Sequence, residues 1–135
     1  MKSKVLVIDD NEIEKLILKR VFSMVEPNVE LVMVDSGEEG LRYLHSDQSV
    51  KPILVLLDIN MPKKNGHEIL VEIKKDEKLK MIPVCMFSNS DLEKDVQDAY
   101  INCASMYVKK PSGVDNLKKF VSCCTTLWFE FALMA

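Results

Sequence analysis

The sequence lacks any apolar run longer than five residues, the length of Ile53 to Leu57, whereas a membrane-crossing helix needs about twenty. That excludes a transmembrane helix. Behind Lys2 and Lys4 only Val5 to Ile8 is apolar, too short for the core of a signal peptide, so the expected location is the cytoplasm. Cysteines are few and badly spaced for metal or redox work. Cys85, Cys103, Cys123 and Cys124 form no Cys-x-x-Cys pair and have no histidine nearby. Zinc binding and a thioredoxin-type dithiol are excluded on spacing, which leaves reduced and mostly buried thiols. The two histidines, His45 and His67, are isolated and read as surface residues. A large charge of one sign is also missing. The net charge of −3 gives no generic attraction to nucleic acid or to an anionic membrane, and there is no helix-turn-helix segment to contact DNA.

What is present suits one soluble globular domain. Of the 135 residues, 47% are hydrophobic and 29% charged, enough apolar matter to bury a core and too much for a disordered chain. With no repeat, low-complexity stretch or linker, residues 1–135 are expected to form a single domain without an output domain.

Short apolar runs alternate with amphipathic stretches. Lys4 to Ile8 reads as a strand that stops at Asp9-Asp10. Asn11 with Glu14 gives a capping-box signal for a first helix, in which Ile13, Leu16, Ile17, Val21 and Met24 recur at helical spacing. Val29 to Val34 is a second strand, and Ser36 with Glu39 caps a helix carrying Leu41 and Leu44. Residues 46 to 52 are a polar connection. Ile53 to Leu57, continuously apolar as a strand covered on both faces should be, runs straight into Asp58. A loop with Met61-Pro62 and Asn65-Gly66 leads into a helix with Ile69, Leu70 and Ile73, and Lys74 to Lys80 reads as a solvated helix end and loop. Pro83 to Phe87 is the fourth strand, ending at Ser88; Ser90 with Glu93 caps the fourth helix. Met106 to Lys109 is the fifth strand, stopped by Pro111. A last helix from about Asp115 carries Leu117, Phe120, Val121, Cys124 and Trp128 on one side. Five strands alternating with five helices predict an α/β fold with a parallel sheet.

In such sheets the binding crevice lies outside the carboxyl ends of the strands, where the strand order reverses. The residues there are Asp9, Asp10, Asp58, Ser88 and Lys110; Asp35, at the end of the second strand, is an ordinary polar strand end. Clustered carboxylates repel one another and favour a hard divalent cation with oxygen ligands, Mg²⁺ above all. A lysine beside them stays charged and pairs with a carboxylate or phosphoryl oxygen. Carboxylates, Mg²⁺, lysine and hydroxyl together make a phosphoryl-transfer site in which an aspartate can be the nucleophile.

Four segments carry a resemblance: VLVIDD at Val5 to Asp10, LLDINMPKKNG at Leu56 to Gly66, PVCMFSNS at Pro83 to Ser90 and YVKKP at Tyr107 to Pro111. In order, spacing and strand-end placement the chain resembles the receiver domain of the response-regulator family across nearly its whole length. The resemblance implies a flavodoxin-like (β/α)5 fold with strand order 2-1-3-4-5. It implies that Asp58 is the phosphoacceptor, charged by a sensor histidine kinase, in a stand-alone switch that is not an enzyme. Asp9, Asp10, Asp58 and the backbone carbonyl of Asn60 would hold Mg²⁺. Ser88 and Lys110 would stabilise the phosphoryl group, and Ser88 with Tyr107 would form the switch. The Lys110–Pro111 bond is expected to be cis and to aim the ammonium into the site. Met61-Pro62 and Gly66 would shape the loop over the acceptor. Signalling would pass by protein contacts on the fourth helix, fifth strand and fifth helix. The further partner there would be a histidine phosphotransfer protein, a downstream target, or a second copy in a homodimer.

Asn60, Asn89 and Ser90 occupy positions that modulate access to the acceptor. Asn89 stands where the family mostly has a small residue, so altered dephosphorylation is expected; Ser112 follows Pro111 where an aromatic is common. Trp128, Phe129 and Phe131 are expected to serve partly as core and partly as a sticky surface. Other readings fit less well. An aspartyl phosphatase needs Asp-x-Asp after the first strand, and this chain has Asp9-Asp10-Asn11. A flavin binder needs a first loop of small residues to wrap phosphate. A phosphorylation-dead scaffold would not need the full acidic, hydroxyl and lysine set.

Overall fold

Alternation along each strand decides where the helices go. All of Val5 to Ile8 are buried, but Leu6 and Ile8 belong to one core and Val5 and Val7 to another, as a two-residue strand period requires. A strand apolar on both faces needs a helical layer on each.

The computed structural model describes residues 3–46 and 51–133. Strands β1 (Ser3–Ile8), β2 (Val29–Val34), β3 (Leu54–Leu57), β4 (Val84–Ser88) and β5 (Met106–Lys109) pair in parallel in the order β2-β1-β3-β4-β5. Between and after them run α1 (Glu12–Val25), α2 (Gly37–His45), α3 (Gly66–Lys75), α4 (Glu93–Ile101) and α5 (Val114–Thr125). This is the expected doubly wound fold. One core joins Leu6, Ile8, Val55, Leu57 and Met86 to Leu44 of α2, Ile69 and Ile73 of α3 and Ala99 of α4. The other joins Val7, Leu56 and Phe87 to Leu18, Val21 and Phe22 of α1 and to Leu117 and Val121 of α5. Of the polar connection expected at residues 46–52, positions 47–50 lie outside the described residues. No helix among the described residues is long and apolar enough to cross a membrane.

The structure corrects the reading of α1. Val21 is buried as expected, but Ile13, Leu16, Ile17 and Met24 all lie on the exposed side. The buried stripe is Leu18, Val21 and Phe22. Both stripes have helical spacing, and the packing of Leu18, Val21 and Phe22 into the second core decides between them. Lys15 goes in with that stripe, its ammonium paired with Asp35 and with Glu12. Burial by itself would lower the Lys15 pKa, but the two carboxylates outweigh it and raise it.

Smaller corrections follow from tertiary contacts. Ser90 does not cap α4: its hydroxyl donates to Asp95 at 2.6 Å, and Leu92 takes the cap position without a side-chain bond. Lys74 is half-buried rather than solvated, donating to the carbonyls of Lys80 (3.0 Å) and Ile82 (2.7 Å), and burial lowers its pKa. His67 is not isolated, because its Nε2 lies 3.2 Å from Asp95. Cys85 and Cys124 are buried while Cys103 and Cys123 are exposed; burial pushes the Cys124 thiol up to about 12. After α5 the chain widens into a π-helical turn, Thr126–Phe131, closed by Ala132 N–H on the Leu127 carbonyl at 2.8 Å. Trp128 and Phe129 pack on the α1–α5 core, whereas Leu127 and Phe131 stay exposed.

Candidate functional site

Strand order brings the sequence-distant strand ends together. β1 lies beside β3, so Asp9 and Asp58 leave adjacent strands at one edge; β4 and β5 follow, ending at Ser88 and just before Lys110. Backbone bonds hold the ends in register: Asp58 N–H donates to the Ile8 carbonyl (3.0 Å), Asp9 N–H to that of Val34 (3.2 Å) and Lys110 N–H to that of Ser88 (2.8 Å).

Carboxylate oxygens of Asp9, Asp10 and Asp58 lie within 4.8 Å of one another, with Asp9 and Asp58 buried and Asp10 exposed. Lys110 Nζ reaches into this cluster, 2.9 Å from Asp9 Oδ2 and 3.3 Å from Asp58 Oδ2, and also touches the Glu14 carboxylate. Burial pushes the Asp58 carboxyl upward, Lys110 draws it back down, and the neighbouring Asp9 charge raises it again; the net shift is upward. For Lys110 burial alone would lower the pKa, but Glu14, Asp9 and Asp58 together raise it. Three hard oxygen donors gathered around one point, two of them out of water, fit a divalent cation that keeps part of its water shell. The residues present therefore suit Mg²⁺ or Mn²⁺.

The surrounding loops serve this edge. The Asn60 backbone N–H lies near enough to the Asp58 carboxylate to favour its charged form slightly. Asn65 and Glu68 form a full capping box at the start of α3. A Cβ on Gly66 would collide with the Asp58 carbonyl oxygen and with Ile59 Cα, so only glycine lets α3 begin this close beneath the loop. Ser88 is fully buried, and its Oγ accepts from Ser90 N–H at 3.2 Å. The Tyr107 hydroxyl donates to the Ser90 carbonyl at 2.7 Å, which ties β5 to the segment just past Ser88. The Asn89 amide reaches toward Glu14 at 3.5 Å.

Two expectations change here. The Lys110–Pro111 peptide is trans, as are all peptides among the described residues. Trans is the favoured isomer by about 0.5–1 kcal/mol, and Lys110 reaches Asp9 and Asp58 from it. Glu14 was read only as a capping partner of Asn11. Asn11 does accept from Glu14 N–H at 3.0 Å, but the Glu14 carboxylate turns to Lys110. The i, i+3 spacing could not separate those roles. The one available signal was its place in the first helical turn after the acidic pair.

The family profile of the response regulator receiver domain matches residues 5–122. The chain belongs to the response-regulator receiver family. This receiver is 31% identical over 130 residues to the response regulator Rcp1 of Synechocystis sp. (strain ATCC 27184 / PCC 6803 / Kazusa), an alignment spanning 93% of this chain and 88% of Rcp1. Among solved structures it resembles the phosphorylated cyanobacterial phytochrome response regulator RcpA, with a TM-score of 0.90, 30% identity and 99% of each chain covered. It also resembles the Mn²⁺-bound form of Rcp1, with a TM-score of 0.87 and 29% identity over 98% of this chain and 99% of that one.

Proposed function

We propose that this receiver is a stand-alone phosphoryl-accepting switch in a two-component phosphorelay, with Asp58 as the acceptor and a phosphohistidine on a sensor histidine kinase as the donor. The observation that carries the reading is Lys110, whose ammonium stands against both Asp9 and Asp58 inside a three-carboxylate cluster. Asp9, Asp10, Asp58 and the Asn60 carbonyl would hold Mg²⁺, which when bound supplies positive charge against the incoming phosphoryl oxygens. An Asp58 carboxylate oxygen attacks phosphorus. A P–O bond forms as the N–P bond breaks, and the donor imidazole keeps that electron pair and takes up a proton. Lys110 pairs with one phosphoryl oxygen and the Ser88 hydroxyl donates to another. Turning Ser88 toward the phosphoryl group draws on Ser90, and Tyr107 follows through its bond to the Ser90 carbonyl, a shift of population between two arrangements. In this reading Asp58 is itself the group modified, so the receiver works as a switch rather than an enzyme, in the cytoplasm.

Two surfaces support the partner assignment. Ile13, Leu16 and Ile17 on the outer side of α1 are exposed. Beside them a groove of about 250 Å³ is lined by Ile17, Val114 and Lys110 among others. An apolar groove that includes Lys110 supports a footing for the donor near the acceptor. Leu92, Tyr100 and Ile101 are exposed at α4, which suits the α4–β5–α5 face for a downstream protein, a histidine phosphotransfer protein or a second copy.

The test is intact mass after incubation with Mg²⁺ and acetyl phosphate, beside Asp58→Asn and an EDTA control. One phosphoryl group on the parent alone, absent with EDTA, is expected. If the parent gains none and beryllofluoride with Mg²⁺ also leaves its NMR spectrum unchanged, the reading is wrong.

A further inference from the structure

Lys110 serves three carboxylates, and only two of them belong to the strand-end cluster. The third, Glu14, comes from the first turn of α1 and is about one-third exposed, against less than a tenth for Lys110, Asp9 and Asp58. Its Oε2 takes the Lys110 ammonium while its Oε1 faces the Asn89 amide at 3.5 Å. One side chain thus bridges the β5–α5 junction and the β4–α4 loop. We propose that Glu14 is a positioning residue that holds Lys110 partly off the acceptor and so restrains phosphoryl uptake. The proposal rests on the phosphoacceptor reading and adds a regulator to that site.

The physical argument is competition for one ammonium. A new phosphoryl group on Asp58 needs Lys110 turned fully toward it, since a charge-assisted contact there is short and directional. Glu14 offers a rival anion, about one-third exposed to water. Asp9 and Asp58 cannot be removed without dismantling the acidic cluster, but Glu14 can. When Lys110 swings away, the Glu14 carboxylate is resolvated at little cost because it already meets solvent. Losing its contact with Lys110 therefore adds a modest cost to uptake and to holding the phosphorylated state, and blocks neither. Asn89 is tied into the same contact, so loosening Glu14 also frees the residue next to Ser88.

The experiment is a double-mutant cycle on phosphoryl uptake from acetyl phosphate at saturating Mg²⁺, with parent, Glu14→Gln, Lys110→Met and the double variant. Glu14→Gln is expected to speed uptake about fivefold and to lengthen the phosphoryl lifetime when Lys110 is present, and to change neither by more than about twofold when Lys110 is Met. An equal gain in both backgrounds means that Glu14 acts only as a nearby negative charge, and overturns the proposal. A second readout needs no uptake: the ¹³Cε and ¹⁵Nζ signals of Lys110. They are expected to shift in Glu14→Gln, with faster ammonium proton exchange; unchanged signals overturn the proposal even if Lys110→Met takes no phosphoryl group. A parent that takes no phosphoryl group and ignores beryllofluoride removes the underlying reading, and this proposal with it.

Discussion

Asp58 lies 3.3 Å from the ammonium of Lys110, yet its carboxyl is still held above the ordinary carboxylate range, because burial outweighs the pairing and Asp9 adds a like charge. The acceptor is kept at a cost to the fold, and this cost has a pH dependence. A carboxyl whose pKa is raised by folding binds its proton more tightly in the native chain than in the unfolded one. Below the ordinary carboxylate pKa both states are protonated and nothing is lost. As pH rises through that value toward the higher native one, the unfolded chain ionises first and stability falls; above the native value the penalty is complete. Asp58→Asn is therefore expected to stabilise the apo protein at pH 7, a gain that shrinks toward pH 4. Urea unfolding at both pH values, without divalent metal, checks this. A lower midpoint than the parent at pH 7 contradicts it.

Gly66→Ala tests the approach of α3 to the acceptor loop. Intrinsic helix propensity alone would favour alanine by about 1 kcal/mol. The added Cβ would meet backbone atoms of Asp58 and Ile59, which cannot step aside as a flexible side chain can. A loss of about 2 kcal/mol or more is expected, together with reduced phosphoryl uptake because Asp58 is displaced. A variant as stable as the parent would show that the loop has room.

The orientation of α1 is tested by two leucines two residues apart. Leu16 is more than half exposed, whereas Leu18 is buried against the second core. Leu16→Ala is expected to stay within about 0.5 kcal/mol of the parent, and Leu18→Ala to lose about 2–4 kcal/mol. Denaturant midpoints at constant slope measure both. Equal losses, or the reverse order, would put the other stripe of the helix inside.

Asn89→Ala removes an amide that faces Glu14 at 3.5 Å and frees space beside Ser88. The lifetime of the phosphorylated protein is expected to change severalfold, on the order of 1 kcal/mol in the barrier. The decay of the phosphorylated mass after removal of acetyl phosphate gives that lifetime. Equal decay in parent and variant rejects a role for Asn89.

Much of this site is legible along the chain because strand and loop chemistry are local. Ile53 to Leu57 is a run of apolar residues that ends on a carboxylate, and β1 ends on two. Period and punctuation place Asp9, Asp58, Ser88 and Lys110 at strand ends, and parallel strands joined by helices put those ends on one edge. The caps at Asn11 and Ser36 are equally local, each a side-chain oxygen taking an N–H three residues on.

Other features depend on partners far along the chain. The side of α1 that turns inward was ambiguous, since Ile13, Leu16 and Ile17 form as good a stripe as Leu18, Val21 and Phe22; the fit of Phe22 to the sheet and the pairing of Lys15 with Asp35 choose between them. Ser90 follows Asp95 rather than the end of α4, and Glu14 leaves its capping role for a lysine 96 residues away. The Lys110–Pro111 bond is trans, the intrinsically favoured isomer. Backbone periodicity is a property of neighbouring residues and survives in the bare sequence. The direction of a charged side chain is set by which opposite charge the folded sheet brings within a few ångströms, and that distance exists only once the strands have paired.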